Sequence, residues 1–111
     1  MTEPSFLLSP EAMADLSSIM DYIGFRSGRL RAEQVLGRLT RTPAALAYSP
    51  GMGRRTDLEG QPFMFPLAPW IIFYEPEPEL TGIHVLRVYD GRRDLERLLL
   101  EYKRPQRVPR E

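Results

Sequence analysis

A chain of 111 residues with 15 basic and 15 acidic side chains carries no formal net charge, which speaks against indiscriminate nucleic-acid binding, a property of basic domains. It is long enough to bury one core and too short for two. With no cysteine and one histidine, a disulfide framework, a thiolate nucleophile and a metal centre are all excluded, and no cofactor is expected. No apolar run approaches the length of a membrane span, and no basic region followed by an apolar stretch stands at the N-terminus. The cytoplasm is the default location. Residues 1–102 read as one domain and 103–111 as a flexible tail, since the tail is rich in proline and alternating charge.

Phe6-Leu7-Leu8 reads as a short strand entering a helix. Ser9 is a good N-cap, Pro10 suits the first helical position and Glu11 complements the helix dipole. Ala12, Leu16, Ile19, Met20 and Ile23 recur at helical spacing while Asp15, Ser18 and Asp21 face elsewhere, so an amphipathic helix ends near Gly24 to Gly28. A second helix begins near Leu30 with Ala32, Val35, Leu36 and Leu39 as its apolar stripe. Pro43 should kink or break it, with a further helical turn or two over Ala44 to Tyr48.

Ser49 to Gly53 is a loop by composition, followed by Arg54-Arg55 and a polar stretch to Gln61. Phe63-Met64-Phe65 is a short strand, and Pro66 and Pro69 bound a tight turn. Trp70 to Tyr74 and Ile83 to Tyr89 are rich in β-branched and aromatic residues and read as antiparallel strands joined by the acidic segment Glu75 to Gly82. Their near-continuous hydrophobicity predicts strands covered on both faces. Asp90 to Asp94 turns the chain out of the sheet, and Leu95 to Tyr102 forms a short last helix. The predicted class is α+β: an N-terminal strand and an α-helical hairpin packed on a small, mainly antiparallel sheet, with a short C-terminal helix.

Among chemistry-bearing residues, His84 shares a sheet face with Leu86 and Val88 in strict alternation and reads as structural. Glu75, Glu77 and Glu79 are separated by prolines and read as a solvated connection. Gly51-Met52-Gly53 lacks the spacing and the Lys-Ser/Thr of a phosphate loop. Arginine remains: 14 of the 15 cations are Arg, and its planar fork suits carboxylate or phosphate. Arg54, Arg55, Arg87, Arg92 and Arg93 are candidate anchors for an acidic or hydrogen-bonding partner. The plainer alternative ties Arg87 to Asp90 or Asp94 and leaves the others in solvent. Tyr89 with Arg87 and Arg92 would be the minimal acid and phosphate clamp of a metal-independent ribonuclease.

The segments FLLSPEAMADLSSIMDYI, SPGMGRR and WIIFYEPEPELTGIHVLRVYDGRRDL, in this order, resemble the RelE/ParE superfamily of bacterial type II toxins, closer to its ParE branch. The resemblance spans Phe6 to Leu95. It implies a toxin neutralised by a cognate antitoxin in a hetero-oligomeric complex, the antitoxin's C-terminal segment wrapping the helical hairpin and sheet. It further implies DNA gyrase as the target, blocked by protein–protein contact. Met20, Tyr22 and Trp70 join the five arginines as target- or partner-binding residues under this resemblance. Two alternatives are a ribosome-dependent mRNA endonuclease and a degenerate protein that only binds its antitoxin. Phe63-Met64-Phe65 stands where many relatives carry an arginine, and Tyr89-Asp90 where many carry a histidine. Both departures weigh against RNA cleavage.

Overall fold

The computed structural model describes residues 3–77, 79, 81–94, 96, 97, 100, 102 and 103. Strand β1 (Phe6–Leu8) leads into helix α1 (Pro10–Ser27), and helix α2 (Arg29–Tyr48) returns antiparallel to it. A 3-10 turn over Pro50–Met52 precedes strands β2 (Arg54–Arg55), β3 (Phe63–Leu67), β4 (Trp70–Glu77) and β5 (Gly82–Asp90). They form one sheet in the order β1-β5-β4-β3-β2, in which β1 runs parallel to β5 and every other pair is antiparallel. This is the predicted α+β arrangement.

The start of α1 follows the sequence signals closely. Ser9 stands extended at the N-cap, its hydroxyl accepts the Ala12 amide at 2.9 Å, and Pro10 opens the helix. One residue joins the helices. Gly28 adopts φ 90°, closes α1 through its amide to the Gly24 carbonyl, and begins α2 by accepting from Ala32. Only glycine takes that backbone conformation without a Cβ penalty.

Three expectations are corrected. Helix α2 runs unbroken through Pro43. The proline is fully buried between Leu39 and Leu46, and the packing of that stripe offsets its cost of about 3 kcal/mol. Strand β3 continues through Pro66 to Leu67, and the chain turns at Ala68-Pro69, a cis peptide. β2 covers only Phe63 and Met64, so Pro66 sits where β3 has a free edge and no ladder donor is missed. Strand β4 likewise continues past Tyr74 to Glu77, with Pro76 opposite Ile83. Glu77 is only 4% exposed, so the acidic segment is not wholly a solvated connection.

The main core lies between the helices and the sheet. It unites Leu16, Val35, Leu39 and Leu46 with Trp70, Ile72, Tyr74, Ile83, Val85 and Val88. On the other sheet face Phe73 and Tyr102 form a smaller cluster with Leu58, Met64, Ile71 and Tyr89. The pairing of β4 with β5 shifts register between Phe73 and Tyr74, opposite Arg87 and Val85, leaving Leu86 as the extra residue. This bulge overturns the strict alternation read from sequence, because Val88 now packs with Ile83 and Val85 on the helix side. The predicted last helix, Leu95 to Tyr102, falls partly outside the described residues. Glu96, Arg97 and Leu100 are helical, and the tail beyond Lys103 lies outside them.

Tyr74 ties the loop before β2 to the core. Its hydroxyl donates to the Pro50 carbonyl at 2.6 Å and accepts the Gly53 amide at 2.9 Å. Burial raises the phenol's pKa, against the lowering effect of the Gly53 amide. Tyr74→Phe removes both bonds while keeping the ring. It is expected to lower stability by about 1–3 kcal/mol, and amide exchange should accelerate selectively over residues 50–55.

Candidate functional site

The site arises where β1 stops short. β1 pairs with β5 only from Ile83 to Val85, so the second half of β5 has no strand beside it. The first turns of α1 take that place. Ser9 donates its hydroxyl to the Leu86 carbonyl at 2.7 Å. Asp15 accepts the Val88 amide at 2.9 Å and grips the Arg87 guanidinium through Nε at 2.7 Å and Nη2 at 2.9 Å. The expected partners of Arg87, Asp90 or Asp94, are therefore replaced by Asp15. This is the geometry of a strong two-pronged pair. The Asp15 bond is the chief reason that Arg87's pKa rises further above its ordinary value.

The Arg87 guanidinium also lies 4.4 Å from the centre of the Tyr89 ring, within cation–π reach. Tyr89 meets Phe73 edge-on at 5.7 Å from the opposite side. Burial pushes the Tyr89 phenol up, and the Arg87 charge only partly opposes this. The phenol is therefore a hydrogen-bond donor at neutral pH.

The turn after β5 contributes the remaining charges. Asp90 accepts the Arg92 amide at 2.9 Å and lies 3.5 Å from its side chain. Burial would raise the Asp90 carboxyl, but the Arg92 side-chain and backbone hydrogen bonds outweigh it and hold the pKa below the usual carboxylate value. Arg93 lies 3.6 Å from Asp94, and its guanidinium sits 5.9 Å from the Tyr22 ring, which Arg26 also approaches at 5.5 Å.

Together these groups line a cleft of about 550 Å³ between α1, the start of β4 and the end of β5. The fold gathers Tyr22, Trp70, Arg87, Tyr89, Arg92 and Arg93 into it, over an apolar floor of Ile19, Ile23 and Val88. It does not gather Arg54 and Arg55, which lie exposed on β2 at the far edge of the sheet, with Arg55 over the Phe63 ring. Met20 is partly buried against the main core and is not among the cleft-lining residues. His84 is 1% exposed within β5 and does not reach the cleft.

Sequence reasoning missed Asp15, which periodicity turned toward solvent. The signal was present in its spacing: one acid beside Leu16, on the helix that must follow a strand too short to cover β5. Among the described residues no group of three or more His, Cys, Asp or Glu is arranged to hold a metal ion. No described helix is long and apolar enough to cross a membrane.

Comparison with known proteins adds the following. The family model for the ParE toxin of the type II toxin–antitoxin system parDE matches residues 6–95. A solved structure described as the chromosomal ParDE TA system from P. aeruginosa superposes with a TM-score of 0.67 at 21% identity, covering 78% of this chain and 95% of that one. At that identity the likeness is one of fold. Among curated proteins no significant match was found.

Proposed function

The chain belongs to the ParE family, the toxins of type II toxin–antitoxin systems, and from that premise we propose that it blocks bacterial DNA gyrase by protein–protein contact through the cleft between α1 and β5. Its neutralising partner is an antitoxin. In this reading the antitoxin's C-terminal segment wraps the helical hairpin and sheet, and the complex resides in the cytoplasm. The observation that carries the proposal is the pairing inside the cleft: Arg87 with Asp15, Arg92 with Asp90, and Arg93 with Asp94. Alternating charges beside Tyr22, Tyr89 and Trp70 suit a protein surface, where arginine and aromatic residues anchor contacts. The same aspartates repel the phosphates that a ribonuclease would have to hold.

Expression without antitoxin separates the readings. Protein synthesis, followed by labelled amino-acid incorporation, is expected to continue through the first minutes while cells filament and mount a DNA-damage response. Purified chain should inhibit gyrase supercoiling, and Arg92→Ala with Arg93→Ala should weaken that inhibition about tenfold or more, as loss of interface anchors does, with little change in thermal stability. Prompt collapse of translation would replace this reading with mRNA cleavage. Unaffected growth and unaffected gyrase would leave a chain that only binds its antitoxin.

A further inference from the structure

Resting on the reading of the cleft as a surface for a protein target, we infer that Asp15 sets its specificity by keeping nucleic-acid phosphate out. Arginine forks beside accessible aromatic rings are the means by which proteins grip single-stranded nucleic acid, the guanidinium on phosphate and the ring against a base. This cleft has both, in Arg87, Arg92 and Arg93 with Tyr22 and Tyr89. The fork of Arg87 is already taken. The Asp15 carboxylate meets Nε and Nη2 at 2.7 and 2.9 Å, the same two-pronged approach that a pair of phosphate oxygens would make.

The blockade is firmly built. A third bond from the Val88 amide, at 2.9 Å, fixes the carboxylate. The paired side chains of Arg87 and Asp15 are only 26% and 15% exposed, so water and salt screen them little. The other two pairs are looser: 3.5 Å for Arg92 with Asp90 and 3.6 Å for Arg93 with Asp94, the arginines being 74% and 65% exposed. Those arginines can turn to a partner's carboxylates or carbonyls. Asp15 comes from α1, apart from the strand and turn that carry the arginines, so its placement is a property of the tertiary fold and not of a local turn.

Asp15→Asn tests this, because it keeps the shape and the acceptor for the Val88 amide while releasing Arg87. Binding of a fluorescein-labelled oligouridylate to the full chain is read by anisotropy over a salt series. The wild-type chain should bind weakly. Asp15→Asn should bind about tenfold tighter, the gain of one charge-assisted contact, with a salt slope steeper by roughly 0.7. Asp15→Asn combined with Arg87→Gln, which restores neutrality at the pair, should return to the wild-type affinity. Unchanged affinity in folded Asp15→Asn would overturn the inference. A double variant binding far more weakly than wild type would also overturn it, since Arg87 would then be holding phosphate beside Asp15. That second comparison stands even where the single variant does not fold. Gyrase inhibition is no part of this readout, so failure of the gyrase reading and failure of this one are separate results.

Discussion

Gly82→Ala should be among the most damaging small substitutions in this chain, lowering stability by about 3 kcal/mol, the upper end for forcing atoms into a packed site. A Cβ at position 82 would collide with the Ser5 carbonyl oxygen and come 2.9 Å from the Ser5 nitrogen. The Ser5 carbonyl accepts the Ile83 amide at 3.1 Å, so backbone on both sides is committed and nothing flexible can yield. The collision pushes β1 off β5 and threatens its register of Phe6 with Ile83, Leu7 with His84 and Leu8 with Val85. In thermal unfolding of the full chain the midpoint should fall by roughly 15 °C. Gly51→Ala is the control, because nothing lies within 4 Å of a Cβ there. Equal midpoints for the two variants would show that β1 does not hold its place through this contact.

Ser9→Ala should cost about 2–3 kcal/mol, more than an ordinary N-cap, which is worth about 1 kcal/mol. The side chain is fully buried and bonded at both ends: it accepts the Ala12 amide and donates to the carbonyl of Leu86 in the bulge. Alanine leaves a buried donor and a buried acceptor without partners. Ser9→Asp separates the two roles, since a carboxylate can cap the helix but cannot donate to Leu86. It should be at least as unstable as Ser9→Ala by denaturant titration. Wild-type stability in Ser9→Asp would reduce Ser9 to a helix cap.

These two sites mark the boundary of what was legible in the sequence. The elements announce themselves locally. Ser9-Pro10-Glu11 starts a helix, the stripe from Leu16 to Ile23 gives its period, and Trp70 to Tyr74 and Ile83 to Tyr89 are rich in strand formers. Element ends were less visible, because Pro43, Pro66 and Pro76 break local rules and are held by tertiary packing or by a free sheet edge. Strand β2 has two exposed arginines and no alternation to read. The bulge at Leu86 was invisible for a similar reason: it concerns how two strands meet, and neither strand records it alone.

The candidate site divides in the same way. Residues carried by one contiguous stretch, from Arg87 to Arg93, are brought together much as their spacing implies. Tyr22 and Trp70 reach the same cleft because α1 crosses the end of the sheet. Arg54 and Arg55 have the same chemistry but the wrong edge, and arginine content alone does not distinguish them. Asp15 was the costliest omission. A carboxylate on the apparent solvent face of a helix looks idle until the short β1 leaves half of β5 to be covered.

The single-residue joint between α1 and α2 bears on which changes in length the architecture tolerates. Each residue inserted at position 28 would turn the helix that follows by about 100° and advance it about 1.5 Å along its axis. Val35, Leu39 and Leu46 are buried in the main core, and such a turn would carry them off it and bring polar neighbours in. Insertions and deletions are therefore expected to be absent from the tip of the hairpin in sequences sharing this architecture. They should collect instead in the segment between Thr56 and Gln61, where no strand or helix must keep phase with what came before.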